Sequence, residues 1–150
     1  KRKLEFNIGK FKVDAGSHTF VIAEIGNNHN GDYELAQKLV DQAIIAGANC
    51  AKFQMREVAT LYRNQGNPND SSADLGAQYT LDLLARFQLS HHELFQIFDY
   101  CHEQGILPLC TPFDVTSLNN LEDYDKQQKN LWIVCFIFHY NKKASFHDKR

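Results

Sequence analysis

Apolar and polar positions in this chain are arranged in blocks. A short apolar run ends in a polar residue, a turn follows, and then a stretch with helical periodicity begins. Phe20–Ala23 closes on Glu24 and leads into a polar, glycine-containing turn up to Asp32. Cys50-Ala51-Lys52-Phe53-Gln54 places a cation and an amide at the end of a second run. Ile106–Cys110 is the third run, followed by Thr111-Pro112-Phe113-Asp114. Between the runs, Leu35, Leu39, Ala43 and Ala46 recur at helical spacing, with Asp32 placed to cap the helix and Gly47 to end it. The pattern predicts a helix over Tyr79–Phe87, with Leu81, Leu84 and Ala85 available for one face. A second is predicted over His91–Glu103, capped by Ser90, striped by Leu94, Ile97, Phe98 and Cys101, and stopped by Gly105. A third spans Val115–Tyr124. Upstream, Leu4–Ile8 and Phe11–Val13 alternate in period two around Gly9-Lys10, the signature of a hairpin.

Strand, turn and helix in regular succession define an α/β protein with parallel strands. In such folds the polar residues at strand ends converge at one mouth of the sheet or barrel. Glu24, Lys52, Gln54 and Thr111 are therefore expected to share a site. Lysine on a buried strand is costly unless an anion neutralises it. Lys52 therefore serves either a ligand anion or a structural ion pair with Glu24 on the neighbouring strand. Gln54, two residues on, shares the face of Lys52. Asn27, Asn28, His29 and Asn30 crowd the first turn; they suit a hydroxyl-rich ligand, and they equally suit turn architecture. No second ligand lies at metal-binding spacing from His29, and the adjacent His91 and His92 point in different directions on a helix.

The three motifs, AEIG-x-NHNG-D at Ala23–Asp32, KFQ at Lys52–Gln54 and TPFD at Thr111–Asp114, resemble the sialic acid (N-acetylneuraminate) synthase family. The resemblance runs from about Phe20 to about Tyr124. It implies a partial (β/α)8 TIM-type barrel: the first three βα units after the N-terminal hairpin, which caps the barrel bottom. It also implies condensation of phosphoenolpyruvate with N-acetylmannosamine or a related amino sugar, releasing phosphate and forming a nonulosonic acid. On this reading Glu24 is the catalytic carboxylate, Lys52, Gln54 and Thr111 bind the phosphoenolpyruvate, and Asn28 also binds substrate. The family uses a divalent metal, manganese or magnesium, held by histidines from the second half of its barrel. His139 and His147 do not match them, so no metal ligand is assigned here. The family also implies a homodimer, closed by a C-terminal domain that this sequence does not contain.

Length and composition bound this picture. The chain has 150 residues, whereas a complete barrel takes about 250. Residues 1–124 are read as the N-terminal part of the barrel and 125–150 as a divergent tail, the result of truncation, a frameshift or divergence. In that tail DKQQKN carries no barrel pattern, and the A-x-K-x-x-S strand of the family is missing. Apolar Leu131–Phe138 is positioned to add a strand to the sheet edge. Met55–Asp74 is long for a βα connection, which usually takes about 2–6 residues. The net charge of −2 and pI near 6.4 leave no nucleic-acid footprint. No apolar run approaches the roughly 18 residues of a membrane span. Cys50, Cys101, Cys110 and Cys135 form no CxxC pair. Cys50 and Cys110 are expected as buried small hydrophobes in a reducing cytoplasm. Two other readings stand beside the synthase: a noncatalytic half-barrel fragment or assembly module, and another phosphoenolpyruvate-using barrel lyase.

Overall fold

The computed structural model describes residues 5–58, 75–128 and 131–133. In chain order the elements are β1 (Phe6–Ile8), β2 (Phe11–Val13), β3 (Ile22–Gly26), α1 (Tyr33–Ile45), β4 (Cys50–Met55), α2 (Leu75–Arg86), α3 (His91–Gln104), β5 (Leu107–Pro112), α4 (Val115–Gln128) and β6 (Trp132–Ile133). Strands β1 and β2 pair antiparallel, Phe6 opposite Val13. The other strands form one parallel sheet in the order β3-β4-β5-β6. Sequence neighbours are thus sheet neighbours, the order in which a barrel wall is laid down. Most of the long connection expected over Met55–Asp74 (residues 59–74), and residues 134–150 with Cys135, His139 and His147, lie outside the described residues.

Local chemistry accounts for the helix boundaries. The Asp32 carboxylate accepts from the Leu35 amide at 2.9 Å and caps α1. Ser90 and Glu93 form a reciprocal capping box at the start of α3. Gly47 and Gly105 both adopt the left-handed conformation just past α1 and α3. After each of them the chain folds back, Ala48 donating to Ala43 and Ile106 to Cys101. These are the paired bonds that close a helix on glycine.

Every second residue of β4 points to the helices. Ala51, Phe53 and Met55 are buried there, with Leu94, Ile97, Phe98 and Cys101 of α3 and Leu121 and Tyr124 of α4. The stripe expected for α3 is the observed one. The stripe of α1 is rotated by one position: Ala36, Val40 and Ala43 are buried, Leu35 and Leu39 are half-buried, and Ala46 is exposed. The small Ala36 and Ala43 let α1 lie close to the sheet, so the larger leucines pack at its flanks.

Several boundaries differ from expectation: α2 begins at Leu75, four residues before Tyr79, and β4 runs on to Met55. Strand β3 begins at Ile22 and runs through Gly26; Phe20 and Val21 precede it. Strand β5 includes Thr111 and Pro112, and the Phe113 amide bonds the Met55 carbonyl at 3.0 Å, so the turn falls after proline. Helix α4 continues through DKQQ to Gln128, and β6 then adds a fourth parallel strand, Leu109 pairing with Trp132. The Asp125 carboxylate accepts from the Leu131 amide at 3.0 Å, tying the helix end to that strand. The hairpin reaches the opposite, N-terminal end of the strands, where the Lys10 ammonium donates to the Gly105 carbonyl at 3.2 Å. No helix among the described residues is long and apolar enough to cross a membrane.

The first loop is wedged against the α2–α3 connection. Gly31 has φ +77°, and a Cβ there would stand 3.0 Å from the Arg86 carbonyl and 3.2 Å from that of Gln88. Both obstacles are backbone and cannot swing aside. Gly31→Ala is therefore expected to cost about 1–3 kcal/mol through left-handed strain and overpacking. Urea denaturation is the check, and an unchanged midpoint would show that the two loops are not rigidly apposed.

Candidate functional site

Cross-strand partners in a parallel sheet project to the same face. Glu24 pairs with Lys52, and Lys52 with Leu109, in one row; Gln54 pairs with Thr111 in the next row toward the C-terminal strand ends. The structure thus brings Glu24, Lys52, Gln54 and Thr111 together on the sheet face opposite the helices. Below them Ile22, Cys50 and Leu107 make an apolar row. The face is apolar at its base and polar at its mouth.

The Lys52 ammonium donates to Glu24 Oε2 at 2.5 Å. The ion pair weighed from the sequence is therefore present. It is open to solvent on one side, with 21% of the Lys52 side chain and 49% of the Glu24 side chain exposed. Water screens such a pair, so it contributes at most about 1 kcal/mol to stability.

Thr111 is buried, with 3% of its surface exposed. Its Oγ1 has no hydrogen-bond partner among the described residues. A dry hydroxyl without a partner costs about 1–3 kcal/mol. That cost is recovered when an acceptor oxygen reaches it. Gln54 is half-buried, and its Oε1 accepts from Arg56 Nη2 at 2.6 Å. The Arg56 guanidinium lies over the Phe113 ring, 3.7 Å from its centroid.

The first loop proves to be built from its own polar groups. Asn28 is exposed, and its Nδ2 donates to the Ile25 carbonyl at 2.9 Å. His29 is buried and its Nδ1 accepts from the Gly31 amide at 3.1 Å. Burial holds its pKa below the ordinary histidine value, partly offset by a hydrogen bond to the Gly26 backbone. The imidazole is neutral and braces the loop. A water-sized cavity of about 10 Å³ lies to one side of the strand ends, bordered by Asn27, His29, Gln54, Arg56, Gln88 and His91.

Asp114 is a staple. Its carboxylate accepts from the Ser117 amide at 2.7 Å, capping α4, and from the Glu57 amide at 2.7 Å, fixing the chain beyond β4. His91 opens α3 and its Nδ1 meets the Asn120 amide nitrogen at 3.2 Å, clamping α3 to α4. Cys50, Cys101 and Cys110 are buried thiols. Burial pushes Cys50 and Cys101 up to about 12, so they stay protonated and behave as small apolar groups. Among the described residues no three His, Cys, Asp or Glu side chains converge as a metal would require.

Arg56 is the residue that sequence reasoning missed. Its signal was the alternation Lys52, Gln54, Arg56, which continues the polar face one step beyond the expected strand end.

A four-stranded parallel sheet carries a cation, an amide and a buried hydroxyl at its C-terminal mouth, the α/β arrangement in which sites form at strand ends. Comparison with known proteins gives the family. The NeuB family profile matches residues 39–129, and the chain belongs to that family. It is 31% identical over 123 residues to the N-acetylneuraminate-9-phosphate synthase of Homo sapiens, covering 80% of this chain and 34% of the human protein. It is 33% identical over 111 residues to the N,N'-diacetyllegionaminic acid synthase of Legionella pneumophila, covering 68% and 29% of the two chains. The N-acetylneuraminic acid synthetase of Leptospira borgpetersenii, solved in complex with citrate, superposes with a TM-score of 0.66 at 28% identity, over 81% of this chain and 39% of that one. The chain spans about a third of the length of the curated relatives it matches.

Proposed function

We propose that this chain forms the phosphoenolpyruvate-binding wall of a synthase that condenses phosphoenolpyruvate with an N-acetylated amino sugar to give a nonulosonic acid. The observation that carries this reading is the buried Thr111 hydroxyl, without a partner among the described residues, next to Gln54 and one row from Lys52. Family membership supports the same chemistry.

In this reaction carbon 3 of phosphoenolpyruvate bonds to the aldehyde carbon of the open-chain sugar. Water adds at carbon 2, and phosphate leaves with its bridging oxygen by C–O cleavage. Lys52 supplies the cation for the trianionic phosphoenolpyruvate, and Thr111 and Gln54 supply neutral donors. Glu24 has three compatible roles: orienting Lys52, holding the attacking water, and stabilising positive charge at carbon 2. Asn28, exposed in the first loop, is assigned to binding the sugar. A divalent metal, which would polarise the aldehyde, finds no ligand set among the described residues.

Thr111→Val tests the reading, because it keeps the shape and removes the hydroxyl. Burying a methyl in place of a hydroxyl without a partner is expected to raise stability by about 1 kcal/mol. Phosphoenolpyruvate affinity is expected to fall about tenfold in the same variant. Thermal unfolding and calorimetric titration measure the two. A variant that loses stability and binds phosphoenolpyruvate like the parent would place Thr111 in the architecture instead.

A further inference from the structure

We propose that Arg56 is a positioning residue that holds the Gln54 carboxamide with its N–H groups toward the anion-receiving face; this rests on the donor-binding role given to Gln54 above. A glutamine amide has an acceptor end and a donor end, and on an isolated strand either end can face a ligand. Here the choice is made by neighbours. Arg56 Nη2 donates to Gln54 Oε1 at 2.6 Å, a charge-assisted bond. Flipping the amide would set N–H groups against a guanidinium that only donates.

The guanidinium is itself braced. It lies 3.7 Å from the Phe113 ring centroid. Phe113 is tied to β4 through its amide bond to the Met55 carbonyl at 3.0 Å. Arginine, aromatic ring and strand backbone thus close a short loop of contacts. On the other side of the amide, Gly26 leaves room. A Cβ at Gly26 would stand 3.4 Å from Gln54 Nε2 and 3.5 Å from Glu24 Oε1. The donor end of Gln54 therefore lies over Gly26, toward Glu24 and away from Arg56. Gln54 presents donors to whatever enters, which selects an oxyanion or carbonyl oxygen and rejects a cationic or hydroxyl-donating group at that point.

Arg56→Lys separates positioning from simple charge, because lysine keeps the charge and loses both the planar fork and the stack. The first readout needs no ligand. The side-chain amide signals of Gln54, assigned by their loss in Gln54→Ala, are expected to shift and broaden in Arg56→Lys and in Phe113→Leu. The second readout is titration with phosphoenolpyruvate, with inorganic phosphate as comparison. Arg56→Lys and Gln54→Ala are each expected to weaken phosphoenolpyruvate binding about tenfold, and the double variant no further than Gln54→Ala alone. Unchanged amide signals in Arg56→Lys would overturn the inference, whatever the titration shows. Fully additive losses in the double variant would also overturn it, because Arg56 would then act on the anion directly. Failure of the parent chain to bind phosphoenolpyruvate would sink the proposed function, while the amide signals would still decide the placement of Gln54.

Discussion

Lys52→Ala is expected to weaken phosphoenolpyruvate binding on the order of a hundredfold, since a partly desolvated anion loses its cation and faces the remaining carboxylate. Two terms act in the same direction. The charge-assisted bond to the ligand disappears, and Glu24, which pairs with Lys52 at 2.5 Å, is left to repel the incoming anion. Stability should change by less than about 1 kcal/mol, because the pair is open to water. Lys52→Arg is not expected to be neutral: a planar guanidinium does not fit the place of a compact ammonium between two strands. Glu24→Gln supplies the opposite sign. It removes the competing carboxylate and leaves the lysine free, so ground-state affinity should hold or rise. Calorimetric titration of the three variants checks the set. If Lys52→Ala and Glu24→Gln both leave affinity unchanged, the pair is structural and the donor site lies elsewhere.

The clustering of these four side chains was legible from the sequence because its grammar is local. An apolar run followed by a polar residue marks a strand end. Parallel topology then brings consecutive ends together, and Glu24, Lys52, Gln54 and Thr111 do share a face. Helix limits were legible where a side chain or a glycine sets them, as at Asp32, Ser90, Gly47 and Gly105. The failures have physical causes too. Of the α1 stripe expected at Leu35, Leu39, Ala43 and Ala46, Ala43 is buried as expected, but close approach to a sheet favours small residues, and Ala36 and Val40 take the inner face beside it. The last turn of α4 was hidden because it needs no apolar stripe. Asp, Lys and Gln are tolerated or favoured in a helix, and Leu121 and Tyr124 already anchor it. The dual character of Asn28 and His29 was not decidable from composition, because the same amide or imidazole serves a ligand or its own turn. Only the geometry shows each bonded to the loop backbone. Arg56 was overlooked because the strand was expected to stop at Gln54; β4 runs to Met55, and Arg56 directly follows it.

The largest stability effect is expected from Phe98→Ala. Phe98 is fully buried in α3. Its ring meets Phe53 edge-on at 5.9 Å and Tyr124 at 5.6 Å, and it tilts against Phe95 at 6.2 Å. Phe95 and Tyr124 stack on each other at 4.9 Å. The Tyr124 hydroxyl is anchored by Asp99 at 2.6 Å. This cluster joins α3, α4 and β4, so a cavity at its centre cannot close by moving one side chain. Truncation of a buried phenylalanine to alanine costs about 3–5 kcal/mol, against a total of about 5–15 for a domain of ordinary stability. Phe98→Leu keeps most of the volume and should cost about 1–2 kcal/mol. The consequence reaches the site. Phe53 is the inward residue between Lys52 and Gln54, so loosening its packing lets the two polar side chains shift on the opposite face. Urea unfolding gives the stability change, read as a lower midpoint at constant slope. Phosphoenolpyruvate titration of Phe98→Leu, which stays folded, gives the effect on the site. A loss below about 1 kcal/mol in Phe98→Ala would contradict the packing, since a ring at the junction of three elements cannot be removed so cheaply.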